Sequence, residues 1–183
     1  MVQALRELVE DEFFDKASLV EALSMFECAY SGDECEDIIT FLRKDAISLE
    51  QRGITRTYLI LNDKAWEDGH IQIDGYFSIA VKVLYFNGVD SETLERAFGD
   101  ATRKNCPAFL IGQLARGVHS PKGAGLCYLN TALSYIAAAS NIVGGRFVYL
   151  DCVPERRNYY ERHGFTFLQN KHKSNLIQMY RII

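Results

Sequence analysis

Only three prolines occur among 183 residues, and the thirteen glycines follow no period, which excludes collagen-like and low-complexity chains. No uninterrupted apolar run approaches the ~18 residues a membrane span needs, and the N-terminus carries no signal-peptide pattern, so no membrane partner is expected. The cysteines Cys28, Cys35, Cys106, Cys127 and Cys152 are odd in number, irregularly spaced and form no CxxC pair. A disulfide framework and a structural zinc site are therefore both unsupported, and a reducing cytoplasm is the expected compartment. The histidines His70, His119, His163 and His172 form no HExxH motif and no cluster with cysteine, so no metal is expected.

What remains is ordinary for a globular chain: 48% apolar and 24% charged residues, with a formal net charge of −4. The length fits one domain, residues 1–183, large enough to bury a core. The charge is unevenly spread. Residues 1–100 hold 9 basic and 21 acidic side chains, and residues 101–183 hold 11 and 3. The second part is thus suited to an anionic partner, a phosphorylated cofactor or a nucleic acid, unless the two parts simply complement each other within one fold.

Periodicity orders the chain into helices, antiparallel-looking strands, and then a strand, glycine loop, helix, strand, helix and two closing strands. A helix over about 18–28 is predicted with Ser18 as N-cap and Glu21 as its capping-box partner. A second helix, 33–51, carries Ile38, Leu42, Ala46 and Leu49 on one stripe, and Gly53 stops it. Its other face, with Arg43, Lys44 and Glu50, is expected to be solvated. Strand character follows at 57–61, a turn at 62–69, and one or two strands at 71–84. Asp90 and Ser91 cap a helix bearing Leu94, Ala97, Phe98 and Ala101, inside a helical insertion at about 87–106. A buried strand runs from Pro107 to about Ala115. The helix after the loop places Leu126, Leu129, Leu133 and Ile136 on one face. The strand 147–150, a short helix opened by Pro154 and closed by Gly164, and strands 165–167 and 176–183 complete an α/β or α+β domain.

Ser120-Pro121-Lys122-Gly123-Ala124-Gly125, between a buried strand and an apolar helix, carries the chemistry. Glycines let backbone N–H groups crowd an anion, the helix N-terminus adds partial positive charge, and Lys122 adds a full one. The loop is no P-loop, because GK[ST] is missing, and GxGxxG fails at Tyr128. Alone it fits a structural turn equally well. About 35 residues later comes Asn158-Tyr159-Tyr160-Glu161-Arg162-His163-Gly164-Phe165.

With these two segments the sequence resembles the GNAT acyltransferases, in which a Q/R-x-x-G-x-G/A loop holds the pyrophosphate of acyl-coenzyme A and a later Y-x-x-x-G-F segment supplies a tyrosine. The match departs at Ser120, where Gln or Arg is usual. Phe26-Glu27-Cys28, the helix 38–51, Arg52-Gly53-Ile54-Thr55-Arg56-Thr57-Tyr58, Gly75-Tyr76-Phe77 and Leu114-Ala115 narrow the likeness to the GNAT toxins of bacterial type II toxin–antitoxin pairs. The resemblance implies a central mixed, mostly antiparallel sheet flanked by helices, with the glycine loop between a core strand and a helix. It implies acetyl-CoA as donor, bound by Leu114, Ala115, Arg116, Ser120, Lys122, Gly123, Ala124 and Gly125. The end of that strand would pair with the pantetheine arm and polarise the acetyl carbonyl, and Tyr160 would protonate the departing thiolate. Tyr159 is expected to pack.

The same resemblance implies the α-amine of aminoacyl-tRNA as acceptor, an antitoxin as partner, and room for a homodimer. Small-molecule or protein amines remain open as acceptors, and so does a binding module without turnover, which Ser120 favours. No general base is evident. Asp151 is expected to cap a helix or border the cofactor, and Glu155 and Glu161 have no motif behind them. The α-amine reading suits that lack, since an α-amino group has a reference pKa of about 7.7–8.0 against about 10.4 for lysine. Arg43, Lys44, Arg52, Arg56, Arg156, Arg157, Arg162, Lys171 and Lys173 are the candidate RNA face.

Overall fold

The computed structural model describes residues 1–30 and 32–183, with 33 and 34 described by backbone alone. The elements in order are β1 (Val2–Ala4), α1 (Leu5–Glu10), α2 (Lys16–Met25), α3 (Asp33–Thr40), a π-helical turn (Phe41–Asp45) and α4 (Ala46–Gln51). β2 (Arg56–Leu61), α5 (Asp63–Glu67), β3 (Ile73–Tyr85), α6 (Ser91–Phe98), β4 (Asn105–Arg116) and α7 (Ala124–Val143) follow. β5 (Phe147–Cys152), a 3₁₀ turn (Pro154–Arg156), α8 (Arg157–Arg162), β6 (Thr166–Asn170) and β7 (Ile177–Ile182) end the chain. The strands form one seven-stranded sheet in the order β1-β2-β3-β4-β5-β7-β6. β4 and β5 run parallel, while β1–β2, β2–β3, β5–β7 and β6–β7 are antiparallel. The mixed sheet, the glycine loop before α7 and the helix capped by Asp90 all follow the expected order.

Two compact units divide the chain: Met1–Ala80 with Gly112–Tyr135, and Val81–Ile111 with Ile136–Ile183. The first is built around Leu5, Leu19, Leu23, Phe26, Leu42, Leu59, Tyr76 and Ala115. The second is built around Leu84, Ala97, Cys106, Ala108, Phe147, Tyr149, Leu168 and Tyr180.

Several local expectations are corrected. β1 and α1 have no counterpart in the sequence reading; Val2, Gln3 and Ala4 become a strand by pairing with Ile60, Leu59 and Tyr58. α2 begins before Ser18, because the Asp15 carboxylate accepts from the Ala17 and Ser18 N–H groups at 3.0 and 3.3 Å. Ser18 instead donates its hydroxyl to Asp15. Residues 63–67, expected as turn, form a helix because Asn62 accepts the Ala65 N–H at 3.1 Å. Leu126 is exposed, and Tyr128, Leu129, Ala132, Leu133 and Ile136 form the buried side of α7. α7 is long and apolar enough to cross a membrane by length and composition alone.

The largest correction concerns Glu50, expected in solvent but 4% exposed. The π-helical turn adds a residue to the helical repeat, so the buried positions beyond it are Ala46 and Glu50. The Glu50 carboxylate takes the Thr57 N–H at 2.7 Å and Arg56 Nη1 at 3.1 Å. Replacing Arg56 by Ala leaves a buried carboxylate with only part of its compensation. Removing one partner of a fully buried pair costs about 3–5 kcal/mol. With the Arg56 side chain 43% exposed, solvent screening brings the expected loss to about 2 kcal/mol, a drop of roughly 4–8 °C in Tm for a chain of this size. Thermal denaturation of Arg56→Ala checks this, and an unchanged Tm would contradict it.

Candidate functional site

Residues 114–125, in the first unit, hold most of the expected site. β4 finds register partners on β5 at Phe109 and Leu110; among the described residues, positions 112–115 have no β5 partner. At the strand's end Gly117 donates to the Asp74 carbonyl at 2.7 Å, on the β3 side, while the Arg116 carbonyl accepts from Ala29 at 2.9 Å on the opposite side. Backbone groups alternate direction along a strand, so the Leu114 N–H and C=O share the Arg116 direction. Leu114 therefore offers a donor and an acceptor at an unpaired stretch of sheet edge. Ala115, one residue on, is buried in the core and serves packing.

The loop itself is drawn tight by three backbone bonds, from Ser120 to Gly117 at 3.1 Å, Ala124 to Pro121 at 3.2 Å and Leu126 to Gly123 at 3.2 Å. Among the described residues, the N–H groups of Lys122, Gly123 and Gly125 have no backbone acceptor. Gly123 has φ +88°, a left-handed conformation that costs other residues roughly 1–2 kcal/mol. Lys122 is exposed beside it and His119 stands in solvent just before it. Among the described residues these three donors at the start of a twenty-residue helix, with a lysine at the rim, are chemically suited to an anion: the helix dipole and the N–H groups attract the same negative charge.

Ser120 does not point at such an anion. Its side chain is buried, gives its hydroxyl to the Asp74 carbonyl, and shares a 2.6 Å hydrogen bond with the Tyr128 hydroxyl. Its carbonyl accepts Arg116 Nη1 at 3.1 Å. Ser120 and Arg116 thus brace the loop from beneath. Burial pushes the Tyr128 phenol above its ordinary pKa, with the Ser120 bond pulling the other way. The Asp74 carboxylate is held in turn by Asn62 and Gln72, at 3.2 and 2.9 Å.

Two glycines make this close packing possible. A Cβ on Gly75 would lie 2.4 Å from Tyr128 Cε2 and 2.6 Å from the Ala115 carbonyl oxygen, and one on Gly117 would lie 2.9 Å from the Asp74 carbonyl oxygen. Gly75 belonged to a segment singled out in the sequence. Tyr128, Asp74 and Gly117 did not, since their contribution is a tertiary contact with no local signature.

The other singled-out segments underpin the same region. The Cys28–Gly117 bridge and the Val118 N–H to Glu27 bond, 3.0 Å, lay residues 27–29 against the end of β4. Phe26 meets Tyr76 edge-on at 5.5 Å, and the Tyr76 hydroxyl reaches the Ile38 carbonyl at 2.6 Å. Burial first, and then Cys35, push the Cys28 thiol up to about 12. Tyr58 packs between Phe77 and Tyr135 at 5.0 and 4.4 Å. These residues build the core under the loop.

Tyr160 lies in the second unit, on α8. Its ring is half-buried and meets Tyr159 at 5.2 Å and Phe165 at 5.7 Å, both edge-on. The Tyr160 carbonyl takes the N–H groups of His163 and Phe165, each at 3.0 Å, so the turn through Gly164 (φ +82°) folds Phe165 back against the ring. Tyr159 packs on His163 at 4.6 Å, and burial raises its phenol. Asp151 neither caps a helix nor stands free. Its oxygens take Lys171 Nζ at 2.7 Å and Gln178 Nε2 at 2.9 Å, a better outlet for a strand carboxylate than the helix that starts beyond Val153. Glu161 pairs with Arg157 at 2.8 Å. Among the described residues no group of three potential ligands could hold a metal ion.

Of the candidate RNA face, Arg43 donates to the Phe26 carbonyl, Arg56 to Glu50, Arg157 to Glu161, Arg162 to the Asn158 carbonyl and Lys171 to Asp151. Lys44, Arg52 and Lys173 are exposed.

A mixed seven-stranded sheet, a parallel β4–β5 pair joined only briefly, and a glycine loop opening the following helix define the GNAT fold. Solved structures with this fold cover almost the whole chain. AtaT complexed with acetyl-methionyl-tRNAfMet is 19% identical, with a TM-score of 0.69 over 97% of this chain and 92% of that one. A tyrosine-to-phenylalanine mutant of KacT is 20% identical, with a TM-score of 0.68 over 97% and 93%. A structure described as a bacterial toxin is 13% identical, with a TM-score of 0.72 over 100% and 91%. A tyrosine-to-phenylalanine mutant of AtaT has also been solved with the C-terminus of the antitoxin AtaR and acetyl-CoA. No family model matches the sequence, and no curated protein is similar to it.

Proposed function

We propose that the chain is an acetyl-CoA-dependent N-acetyltransferase that acts on the α-amine of an aminoacyl-tRNA, blocks translation as a toxin, and is neutralised by an antitoxin protein. The observation that supports the donor assignment is the start of α7, where among the described residues the N–H groups of Lys122, Gly123 and Gly125 have no backbone acceptor, beyond a stretch of β4 without a β5 partner. A cofactor with a pyrophosphate at one end and two amide groups along its arm suits donors and acceptors arranged this way. The acceptor assignment rests on the likeness to AtaT, which was solved with an acetylated methionyl-tRNA.

Acetyl-CoA binds with its pyrophosphate on the N–H groups of Lys122, Gly123 and Gly125, and with Lys122 close to the phosphates. The Leu114 backbone pairs with the pantetheine arm and orients the thioester; a donor there stabilises the oxyanion as the amine attacks the carbonyl. The carbon–nitrogen bond forms, the carbon–sulfur bond breaks, and Tyr160 gives its proton to the leaving thiolate. The amine sheds its proton to solvent. An α-amine needs little help, because a pKa of about 8 already leaves part of it neutral at pH 7.

A second acceptor class, a small-molecule or protein amine, is favoured by one observation: at least five of the nine basic side chains expected to meet RNA are tied to groups of this chain. Incubation with labelled acetyl-CoA and a mixture of charged tRNA, deacylated tRNA and simple amines separates the two. Label on charged tRNA alone, declining as salt rises, is the expected result. Label on free amines, with none on charged tRNA, would assign the second class.

A further inference from the structure

Six residues separate Cys28 from Cys35, yet the two side chains meet in the first unit. Cys28 is buried in that unit's core, and Cys35, partly buried, packs against the same core. The Cys28 thiol donates to the Cys35 carbonyl at 3.9 Å, and the Cys35 thiol lies within hydrogen-bonding reach of it. Gly32, at φ +120°, precedes α3, and its carbonyl accepts the Cys35 N–H at 2.9 Å, which sets Cys35 in the first turn of α3. The Cys28 backbone bridges Gly117. On either side of that bridge, Ala29 donates to the Arg116 carbonyl at 2.9 Å and Val118 to the Glu27 carbonyl at 3.0 Å. The two sulfurs therefore stand between the start of α3 and the strand end from which the 117–125 loop departs. Acetyl transfer uses neither of them.

We infer that Cys28 and Cys35 are a reversible thiol–disulfide site, closed by a peroxide, that ties the start of α3 to the end of β4. Cys35 is the less buried of the two and meets the oxidant first. Its sulfur loses its proton and attacks one peroxide oxygen. The O–O bond breaks, hydroxide leaves and takes up that proton as water, and Cys35 becomes a sulfenic acid. Cys28, kept protonated by burial until then, attacks the Cys35 sulfur. The S–S bond forms, the S–O bond breaks, and the hydroxyl departs with the Cys28 proton as a second water. Two thiols are oxidised to one disulfide and one peroxide is reduced to two waters. The closed ring removes freedom from residues 28–35. Local opening of that segment, and of the bonds that residues 27–29 make to β4, becomes rarer. The inference is independent of the acetyl-transfer reading.

Mass spectrometry of the intact chain, treated with hydrogen peroxide, alkylated and then digested with trypsin, tests it. Residues 17–43 form one tryptic peptide that holds Cys28 and Cys35 and no other cysteine. This peptide is expected to lose two hydrogen atoms, to resist alkylation, and to regain both thiols with dithiothreitol. Exposed Cys127 reports that the oxidant has acted, and buried Cys106 and Cys152 should stay thiols. The oxidised chain is expected to melt roughly 5–10 °C higher through closure of the 28–35 ring. Its Ala29 and Val118 amides should exchange with solvent at least about tenfold more slowly. In Cys35→Ser, shown to be folded by far-UV circular dichroism, Cys28 should remain a thiol under the same treatment. Two alkylatable thiols in the peptide after Cys127 has reacted would overturn the inference, and so would a folded Cys35→Ser protein that loses its Cys28 thiol as fast as the wild type. A disulfide that leaves exchange at Val118 unchanged would overturn the tie to β4.

Discussion

Replacing Tyr160 by Phe is expected to lower acetyl transfer by about 10²–10⁴-fold in kcat, the range of a lost general acid. Donor affinity and fold should both persist. The phenol oxygen is all that the substitution removes. The ring keeps its edge-on contacts with Tyr159 and Phe165, and the turn that places it rests on the Tyr160 carbonyl, which Phe retains. Steady-state kinetics with calorimetry of acetyl-CoA binding separates the outcomes. A loss confined to kcat supports proton donation to sulfur. A variant as active as wild type would remove Tyr160 from the chemistry, and one that fails to bind acetyl-CoA would make it a binding residue instead.

Gly75→Ala carries the other large effect, through packing rather than chemistry. The added methyl would meet Tyr128 at 2.4 Å and the Ala115 carbonyl at 2.6 Å. The second of these is backbone, so β3 or β4 must shift. Overpacking of this kind costs about 1–3 kcal/mol, and a chain of this length loses roughly 2–4 °C of Tm per kcal/mol. Displacing Tyr128 also loosens its bond to Ser120 and with it the loop. Acetyl-CoA affinity is expected to fall at least about tenfold, which corresponds to about 1.4 kcal/mol. Tyr128→Phe, which removes only the hydroxyl, should weaken donor binding with a smaller change in Tm. Differential scanning calorimetry and isothermal titration of both variants check the pair. Wild-type melting and affinity in Gly75→Ala would show that β3 and the Tyr128 ring part without cost.

The features legible in the sequence are those with local causes. Asp90 caps α6 by accepting the Thr93 N–H at 2.8 Å, Gly53 adopts φ +68° after α4, and the glycine loop sits between strand and helix as its composition implies. The misread features depend on distant partners or on a change of helical phase. Val2–Ala4 is too short to show alternation and becomes a strand only against β2. Glu50 keeps the polar signature of a surface residue, yet one π-helical turn rotates it inward to Arg56 and Thr57. In the candidate site the backbone donors were predictable from Gly123 and Gly125. The buried hydroxyl chain from Tyr128 through Ser120 to the Asp74 carbonyl was not, because serine where Gln or Arg is usual reads as a missing contact until its partners are known.

Isothermal titration of acetyl-CoA into the wild-type chain and into Gly123→Val most directly tests the assignment of the α7 N-terminus as the donor site. A β-branched residue cannot comfortably hold φ +88°, so the N–H groups around position 123 lose their arrangement. One site per chain in the wild type, and at least about a hundredfold weaker binding in a folded Gly123→Val protein, is the predicted result, a difference of about 2.7 kcal/mol. A wild-type chain that does not bind acetyl-CoA, or a variant that binds it equally well, would contradict the account.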